Sequence, residues 1–421
     1  MRRSAALGLY LAASACAEPL ARRLLARRAS RGKEDPARLG ERFGHASAPR
    51  PDGRLIWLHA ASVGEAVSSL PLLDALAQAD PCAGLLLTTG TRTAAEAVTP
   101  RLPATARHQF APVDVRAAVR RFLDHWRPDL AVWVESEIWP RLMVETARAR
   151  VPMALVNARL SEASARGWAR APAMAARLLG LFRMVLAQDG ASADRLGQLG
   201  AGQVERGGTL KSAVIPPADP AAHLELATLL AGRRVWLAAS THDDEEARLA
   251  LTVAATDPEA LLILAPRHPE RGAEVHALLQ QAGLATARRA AGETPGPETR
   301  IWLADTLGEM GLWYRLAEAV FVGGSWVRRG GHTPFEPAAL CRPILHGPHV
   351  ENFAEAYAEL AKAGGARRIE RPEALAQALA ELFADPAAAT RMGAAAAACR
   401  ANFAPDLPAL AQRLLGLVGD R

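Results

Sequence analysis

Carboxylates at the ends of short apolar runs mark where this chain can do chemistry. The run Leu55–Leu58 is followed by Ala60-Ala61-Ser62-Val63-Gly64-Glu65-Ala66. Such a loop of small residues lets backbone approach a ligand closely. Glu65 then stands at a helix start. A carboxylate there can act as a general base, and it can equally cap the helix and favour its dipole. The run Leu130–Val134 leads into Glu135-Ser136-Glu137-Ile138-Trp139-Pro140. Two acids at spacing two share a face where a strand persists, and they suit acid–base work or the binding of hydroxyls. Glu137 alone also suits a helix N-terminus. Gly207-Gly208-Thr209-Leu210-Lys211-Ser212 is not a Walker loop, which needs adjacent Gly-Lys after four intervening residues. Lys211 is still one of only three lysines, with Lys33 and Lys362, in a chain that otherwise uses arginine. It can meet a phosphate as a point charge, or simply be solvated.

The second half carries more such loops. Ala239-Ser240-Thr241-His242, Ala265-Pro266-Arg267-His268-Pro269 and Asp305-Thr306-Leu307-Gly308-Glu309-Met310 each follow an apolar run. Gly323-Gly324-Ser325 and Gly330-Gly331-His332-Thr333-Pro334-Phe335-Glu336-Pro337 complete the set. Glycines and hydroxyls at helix N-termini bind anions, and each such loop alone also reads as an ordinary helix cap. Arg267 offers a fork for phosphate, and Glu336 can accept hydrogen bonds from ribose hydroxyls. Together the loops indicate a nucleotide domain. No Gly-x-Gly-x-x-Gly follows the first run, which argues against NAD or FAD. There is no Asp-x-Asp, so a metal gripping a diphosphate is not favoured. His346 and His349 read as loop histidines without a third ligand. Cys16, Cys82, Cys341 and Cys399 are far apart and suggest neither zinc nor a disulfide framework.

Parallel strands with helices between them must position these loops. Further runs at Leu85–Leu87, Met153–Val156 and Met184–Ala187, with helical patterns such as Ala66–Gln78, Val115–His125, Pro140–Arg148 and Ala191–Leu199, predict an α/β sheet covered on both faces. Ile215–Pro220 reads as a linker. The alternation restarts at Val235–Ala239, Leu261–Ala265, Ile301–Ala304, Ala319–Val322 and Pro343–Leu345, and Ala-rich helices fill Pro372–Val418. Two doubly wound halves fit the length of 421 residues and bind ligands at the strand C-terminal ends.

Composition narrows the classes further. With 22% charged residues the chain is not disordered, and 5% aromatics argue against an RNA-stacking surface. Residues 1–50 hold eleven Lys or Arg against four Asp or Glu, or +7, which leaves −1 for the rest of a net +6. A basic terminus beside the apolar run Ala5–Ala17 points to an anionic lipid surface rather than to nucleic acid. That run is short of the ~20 residues needed to span a bilayer. By itself it fits a cleaved signal peptide, a membrane-associated anchor or a buried helix.

In order along the chain, Gly40-Glu41-Arg42-Phe43-Gly44, His59 to Glu65, Glu135 to Pro140, Asn157-Ala158-Arg159-Leu160-Ser161, Ser240-Thr241-His242, Pro266-Arg267-His268-Pro269 and Gly330 to Pro337 resemble the bacterial 3-deoxy-D-manno-octulosonic acid (Kdo) transferases of lipopolysaccharide assembly, glycosyltransferases of the GT-B architecture. The resemblance implies transfer of Kdo from CMP-Kdo to a glucosamine hydroxyl of a lipid A precursor (lipid IVA), with inversion and without a metal or other cofactor. It implies Glu65 as proton acceptor and Glu137 and Lys211 as stabilisers of the transition state. CMP would be held by Pro266 and Arg267, by Gly308, Glu309 and Met310, and by Thr333, Pro334, Phe335 and Glu336. It also implies an uncleaved anchor in residues 1–30, an acceptor domain over 31–212 and a CMP-sugar domain over 213–421 whose terminal helices can pack back on the first domain. The place of action would be the cytoplasmic face of the inner membrane, among anionic lipids. The pattern departs in two loops. Thr333 and Phe335 replace the usual Asn and Leu, so a hydroxyl is kept and an amide lost. Asp244 stands where a glycine is usual, which predicts a different backbone after His242. A heptosyltransferase using an ADP-sugar, or a membrane-bound paralogue without turnover, are the other readings.

Overall fold

The computed structural model describes residues 4–135 and 137–418, so Ser136 and the extreme termini lie outside the description. The chain forms two units: residues 1–213 with 404–421, and residues 214–403. Each contains one seven-stranded parallel sheet.

In the first unit the strands are β1 Leu55–His59, β2 Gly84–Thr89, β3 Ala106–Phe110, β4 Leu130–Val134, β5 Met153–Ala158, β6 Met184–Ala187 and β7 Val204–Arg206. Their order in the sheet is β3-β2-β1-β4-β5-β6-β7. Every residue of β1, β2, β4 and β5 is buried, as expected where helices cover both faces. One face packs Trp57, Trp133 and Phe122; the other packs Leu58 and Val132 on the helix Val63–Ala79. The last helix, Leu407–Leu415, joins that second core through Leu410, Ala411 and Leu414.

The second unit repeats the plan with β8 Val235–Thr241, β9 Leu261–Pro266, β10 Thr286–Arg288, β11 Ile301–Leu303, β12 Ala319–Val322, β13 Ile344–His346 and β14 Ala366–Arg368. The order is β10-β11-β9-β8-β12-β13-β14. The strand order therefore reverses between β1 and β4 in one sheet and between β8 and β12 in the other, and loops beyond those strands are where such sheets bind ligands. His346, expected in a loop, instead ends β13 and is buried, its Nδ1 2.7 Å from the Gly347 carbonyl. The segment read as a linker has no regular structure up to the helix Pro220–Leu229, and the Pro216 carbonyl accepts from Arg315 at 2.7 Å.

The N-terminal apolar run forms the helix Ala5–Cys16, capped by Ser4. Leu7 is buried with Trp57 and Phe122. Tyr10 donates to Asp114 at 2.6 Å, while Arg141 donates to Ser14 at 3.1 Å and to the Leu11 carbonyl. The helix is thus tied into the first unit by buried polar bonds as well as by apolar packing. Leu9, Leu20 and Leu24 point outward. Among the described residues no helix is long and apolar enough to cross a membrane.

Candidate active site

Three non-glycine residues at strand ends adopt the left-handed region: Glu135 (φ 61°), Asn157 (φ 55°) and Ser240 (φ 57°). Such conformations cost on the order of 1–3 kcal/mol each and persist where surrounding structure enforces them, typically at functional sites. At Asn157 and Ser240 the pairing register also slips, between Leu155 and Ala158 on β5–β6 and between Ala239 and Thr241 on β8–β9. Each slip re-aims the residues at a strand's C-terminal end.

In the first unit this brings Asn157, Glu135 and Lys211 together. The Asn157 amide lies 3.4 Å from Glu135 Oε1, and its carbonyl oxygen accepts from Leu210 N at 3.1 Å. Lys211, in the one-turn helix Leu210–Ala213, places Nζ 2.7 Å from Glu135 Oε1. Glu137 accepts a hydrogen bond from Trp139 Nε1 at 2.8 Å, so the ion pair of Lys211 is with Glu135 rather than Glu137.

Glu65 sits at the third position of the helix Val63–Ala79 in a capping box with Ser62. Its Oε2 accepts from Ala61 N at 2.7 Å and Ser62 N at 3.3 Å, while Oε1 makes no hydrogen bond among the described residues. The carboxylate is 8% exposed. Burial raises its proton affinity, and the negative charges of Glu135 and Glu137 raise it further against the two amides. The cap and the base are therefore compatible roles of one side chain: one oxygen is engaged by backbone and the other makes no hydrogen bond among the described residues.

The motif residues further from these loops are structural. Glu41 is buried, binds Arg38 and accepts from Phe110 N at 2.7 Å. His59 is buried with Nδ1 3.0 Å from Thr88 Oγ1, and burial pushes its imidazole down to about 4.

In the second unit the loops expected to hold a nucleotide lie beyond β8, β9, β11 and β12. Arg267 follows β9, exposed and without a side-chain hydrogen bond or ion pair among the described residues. Glu336 is bound by Tyr314 Oη at 2.9 Å, and burial raises its proton affinity against that bond and the charge of Arg267. Thr333 Oγ1 accepts from Phe335 N at 3.3 Å. The hydroxyl that replaces the usual amide thus serves the turn into the helix Phe335–Ala339. Phe335 itself is a core residue against Phe353 and Phe403, so only its backbone is available to a ligand. Pro266 and Pro334 are likewise buried, and Met310 packs on the core at the start of its helix. Gly308 takes φ +88°, and Glu309 pairs with Arg289 at 2.7 Å. Burial opposes ionisation of Glu309, but the bonds from Arg289 and Thr306 prevail and its carboxyl lies below the usual range.

Asp244, where a glycine is usual, adopts φ 69°, a conformation in which a glycine is at ease. The residue that sequence reasoning missed is the next one. Glu245 is fully buried and accepts from His242 N (3.0 Å), Gly324 N (2.7 Å), Ser325 N (3.0 Å) and Trp326 N (2.9 Å). It welds the loop after β8 to the loop after β12. A run of four acids after His242 gave no sign of which would turn inward. Among the described residues no group of three or more His, Cys, Asp or Glu is arranged to hold a metal ion.

Residues 37–214 match the family model of the 3-deoxy-D-manno-octulosonic-acid transferases. A 3-deoxy-D-manno-octulosonic acid transferase of Bordetella pertussis is 39% identical over 388 residues, covering 88% of this chain and 88% of its own. Its counterpart in Haemophilus influenzae is 33% identical over 372 residues, covering 85% and 86%. Among solved structures, the UDP-GlcNAc 2-epimerase of Neisseria meningitidis superposes with a TM-score of 0.59 at 10% identity, over 87% of this chain and 99% of that one. That likeness concerns the fold alone, two doubly wound domains of GT-B type.

Proposed function

This chain belongs to the 3-deoxy-D-manno-octulosonic acid transferase family and is a glycosyltransferase of lipopolysaccharide core assembly; from that premise we propose how its residues carry the transfer. The donor is CMP-Kdo and the acceptor a glucosamine hydroxyl of a lipid A precursor. The observation that carries the reading is Glu65: a buried carboxylate of raised proton affinity with one oxygen held by backbone and the other making no hydrogen bond among the described residues. A sugar hydroxyl is a poor nucleophile, and a positioned carboxylate takes its proton as the new bond forms. The hydroxyl oxygen attacks the anomeric carbon of Kdo, the bond from that carbon to the phosphate oxygen breaks, and CMP leaves with the electron pair. A single displacement of this kind inverts the anomeric centre.

The leaving phosphate gains charge as the bond breaks. Arg267 and the backbone amides of the loops at Gly308–Met310 and Thr333–Glu336 supply fixed positive potential without a metal, and Glu336 suits the ribose hydroxyls. Lys211, oriented by Glu135, adds a cation in the first unit. Glu137 acts through charge, by keeping the Glu65 proton affinity high. Identity with Kdo transferases over most of the chain favours this donor over the ADP-sugar of a heptosyltransferase. The arginine-rich helix Glu18–Ala29, with Leu20 and Leu24 exposed, and Leu9 exposed on the helix before it support work at the anionic cytoplasmic face of the inner membrane.

The test is transfer of labelled Kdo to a tetraacylated lipid A precursor, with CMP-Kdo generated in place and products resolved by mass. Wild type adds Kdo, and Glu65→Ala, still folded, is slower by about a hundredfold or more. No transfer by wild type, under conditions where a known transferase works, would sink the assignment of donor and acceptor.

A further inference from the structure

The loops after β8, β9 and β12 gather three histidines and two arginines in the second unit. His242 Nε2 and His332 Nε2 are 2.9 Å apart, with ring planes 7° from parallel. His268 stands edge-on to His242 at 5.9 Å between centroids. Arg267 and Arg329 add fixed charge facing His242. Little opposes it. Asp243 is 65% exposed and engaged by Arg271 at 2.6 Å, Glu270 lies out beside His268, and Glu245 beneath is occupied by four amides. The imidazoles rest directly on the Gly324 backbone. A Cβ there would come within 3.0 Å of His332 Cδ2 and 3.4 Å of His242 Cδ2.

A hydrogen bond between two Nε2 atoms needs one proton and one lone pair. Two neutral rings of opposite tautomer satisfy it, and so do one imidazolium and one neutral ring. With no anion present the neutral arrangement holds. Burial, then the neighbouring His242 and Arg267, push His332 down to about 4; burial and Arg329 likewise lower His242. A bound anion reverses the local field and favours the charged arrangement.

We propose that the His242–His332 pair is the phosphoryl subsite of this unit and takes up one proton from solvent when the phosphate of a cytidine nucleotide binds. This rests on the reading of the second unit as the cytidine-nucleotide domain. On binding, two neutral rings and one solvent proton become one shared imidazolium. On transfer, the electron pair of the broken carbon–oxygen bond settles on the phosphate facing that charge, and the proton stays on the pair until CMP departs. Glu245 is a positioning residue here, because it fixes both loops that carry the rings.

The experiment is calorimetric titration of the full-length protein with CMP, cytidine and inorganic phosphate, in buffers of different ionisation enthalpy near pH 7.5. Wild type takes up about one proton with CMP and none with cytidine, and phosphate alone binds weakly with uptake. His242→Gln and His332→Gln each abolish the uptake and weaken CMP about tenfold or more, while cytidine stays within about twofold, which also reports that the fold is intact. Equal weakening of CMP and cytidine, or CMP binding to wild type without uptake, overturns the subsite. If wild type transfers Kdo yet shows no uptake, the subsite is wrong and the donor reading stands. If it binds neither CMP nor CMP-Kdo, both fall.

Discussion

Lys211 Nζ lies 2.7 Å from Glu135 Oε1, and Glu135, the residue directly after β4, is held in a left-handed conformation. Removing the Glu135 charge frees the lysine to move while leaving its own charge intact. We expect Glu135→Gln to lower kcat by about a hundredfold with little change in the KM for the donor, the pattern of an interaction realised in the transition state. Glu137→Gln should cost under about tenfold, since Glu137 touches Trp139 and acts on Glu65 at a distance. A larger effect at Glu137 than at Glu135 in the transfer assay would overturn this ordering.

Glu65 links activity and stability through one proton. Its carboxyl is raised by burial first and by Glu135 next, so the folded state holds the proton more tightly than the unfolded chain. Stability from this group is therefore present below the unfolded value near 4.5 and is lost as pH rises through the higher folded value. Glu65→Gln keeps the capping box but cannot ionise. Its melting temperature should exceed that of wild type at pH 8, with the gap closing towards pH 4, while kcat falls by about 10²–10⁴-fold. In wild type, kcat/KM should decline as pH falls through the raised value. A melting temperature for the variant below wild type at pH 8 would contradict the burial argument.

The loop after His242 holds two adjacent residues with opposite expected effects. Asp244 occupies a left-handed conformation, so Asp244→Gly should stabilise the second unit by up to about 1 kcal/mol. Glu245→Ala leaves four inward-facing amides without their acceptor and should destabilise by about 3 kcal/mol or more. Urea unfolding gives the energies. Hydrogen exchange at Gly324 to Trp326 should accelerate in the Glu245 variant first, and unchanged exchange there would show that the clamp is dispensable.

The N-terminal helix is part of the first unit's polar core. Tyr10→Phe strands the buried Asp114, which still accepts from Arg141 N and Leu142 N, and should cost about 1–3 kcal/mol. Deleting residues 1–16 removes the partners of Arg141 as well, leaving a buried guanidinium with fewer acceptors. We expect the truncated protein to unfold at markedly lower urea than wild type, in detergent and in water alike. Equal midpoints would mean that the helix contributes to membrane contact alone.

The ten apolar runs visible in the sequence are the ten interior strands of the two sheets, and the strands that escaped are the four edges, β3, β7, β10 and β14. An interior parallel strand is buried on both faces and between neighbours, so it must be apolar throughout, and composition alone reveals it. An edge strand has one neighbour and tolerates charge: Arg107 and His108, Glu205 and Arg206, Arg288, and Arg367 and Arg368 hide those strands from any hydrophobic reading. The same logic made the loops legible, because glycines, hydroxyls and acids directly after apolar runs have few structural reasons to cluster. Sequence also fixed the family, through motifs in order. What it could not decide was which acid turns where. Glu135 and Glu137 are two residues apart, and a single left-handed dihedral at Glu135 sends one to Lys211 and leaves the other to Trp139. Glu245 stands in a run of acids, and only the approach of the loop after β12 gives it three of the four amides it binds. The pairing of His242 with His332 spans ninety positions of chain and exists because β8 and β12 are neighbours at the point where strand order reverses. Spacing determines which residues share an element; which elements become neighbours, and hence which side chains meet, is settled by how the sheet packs.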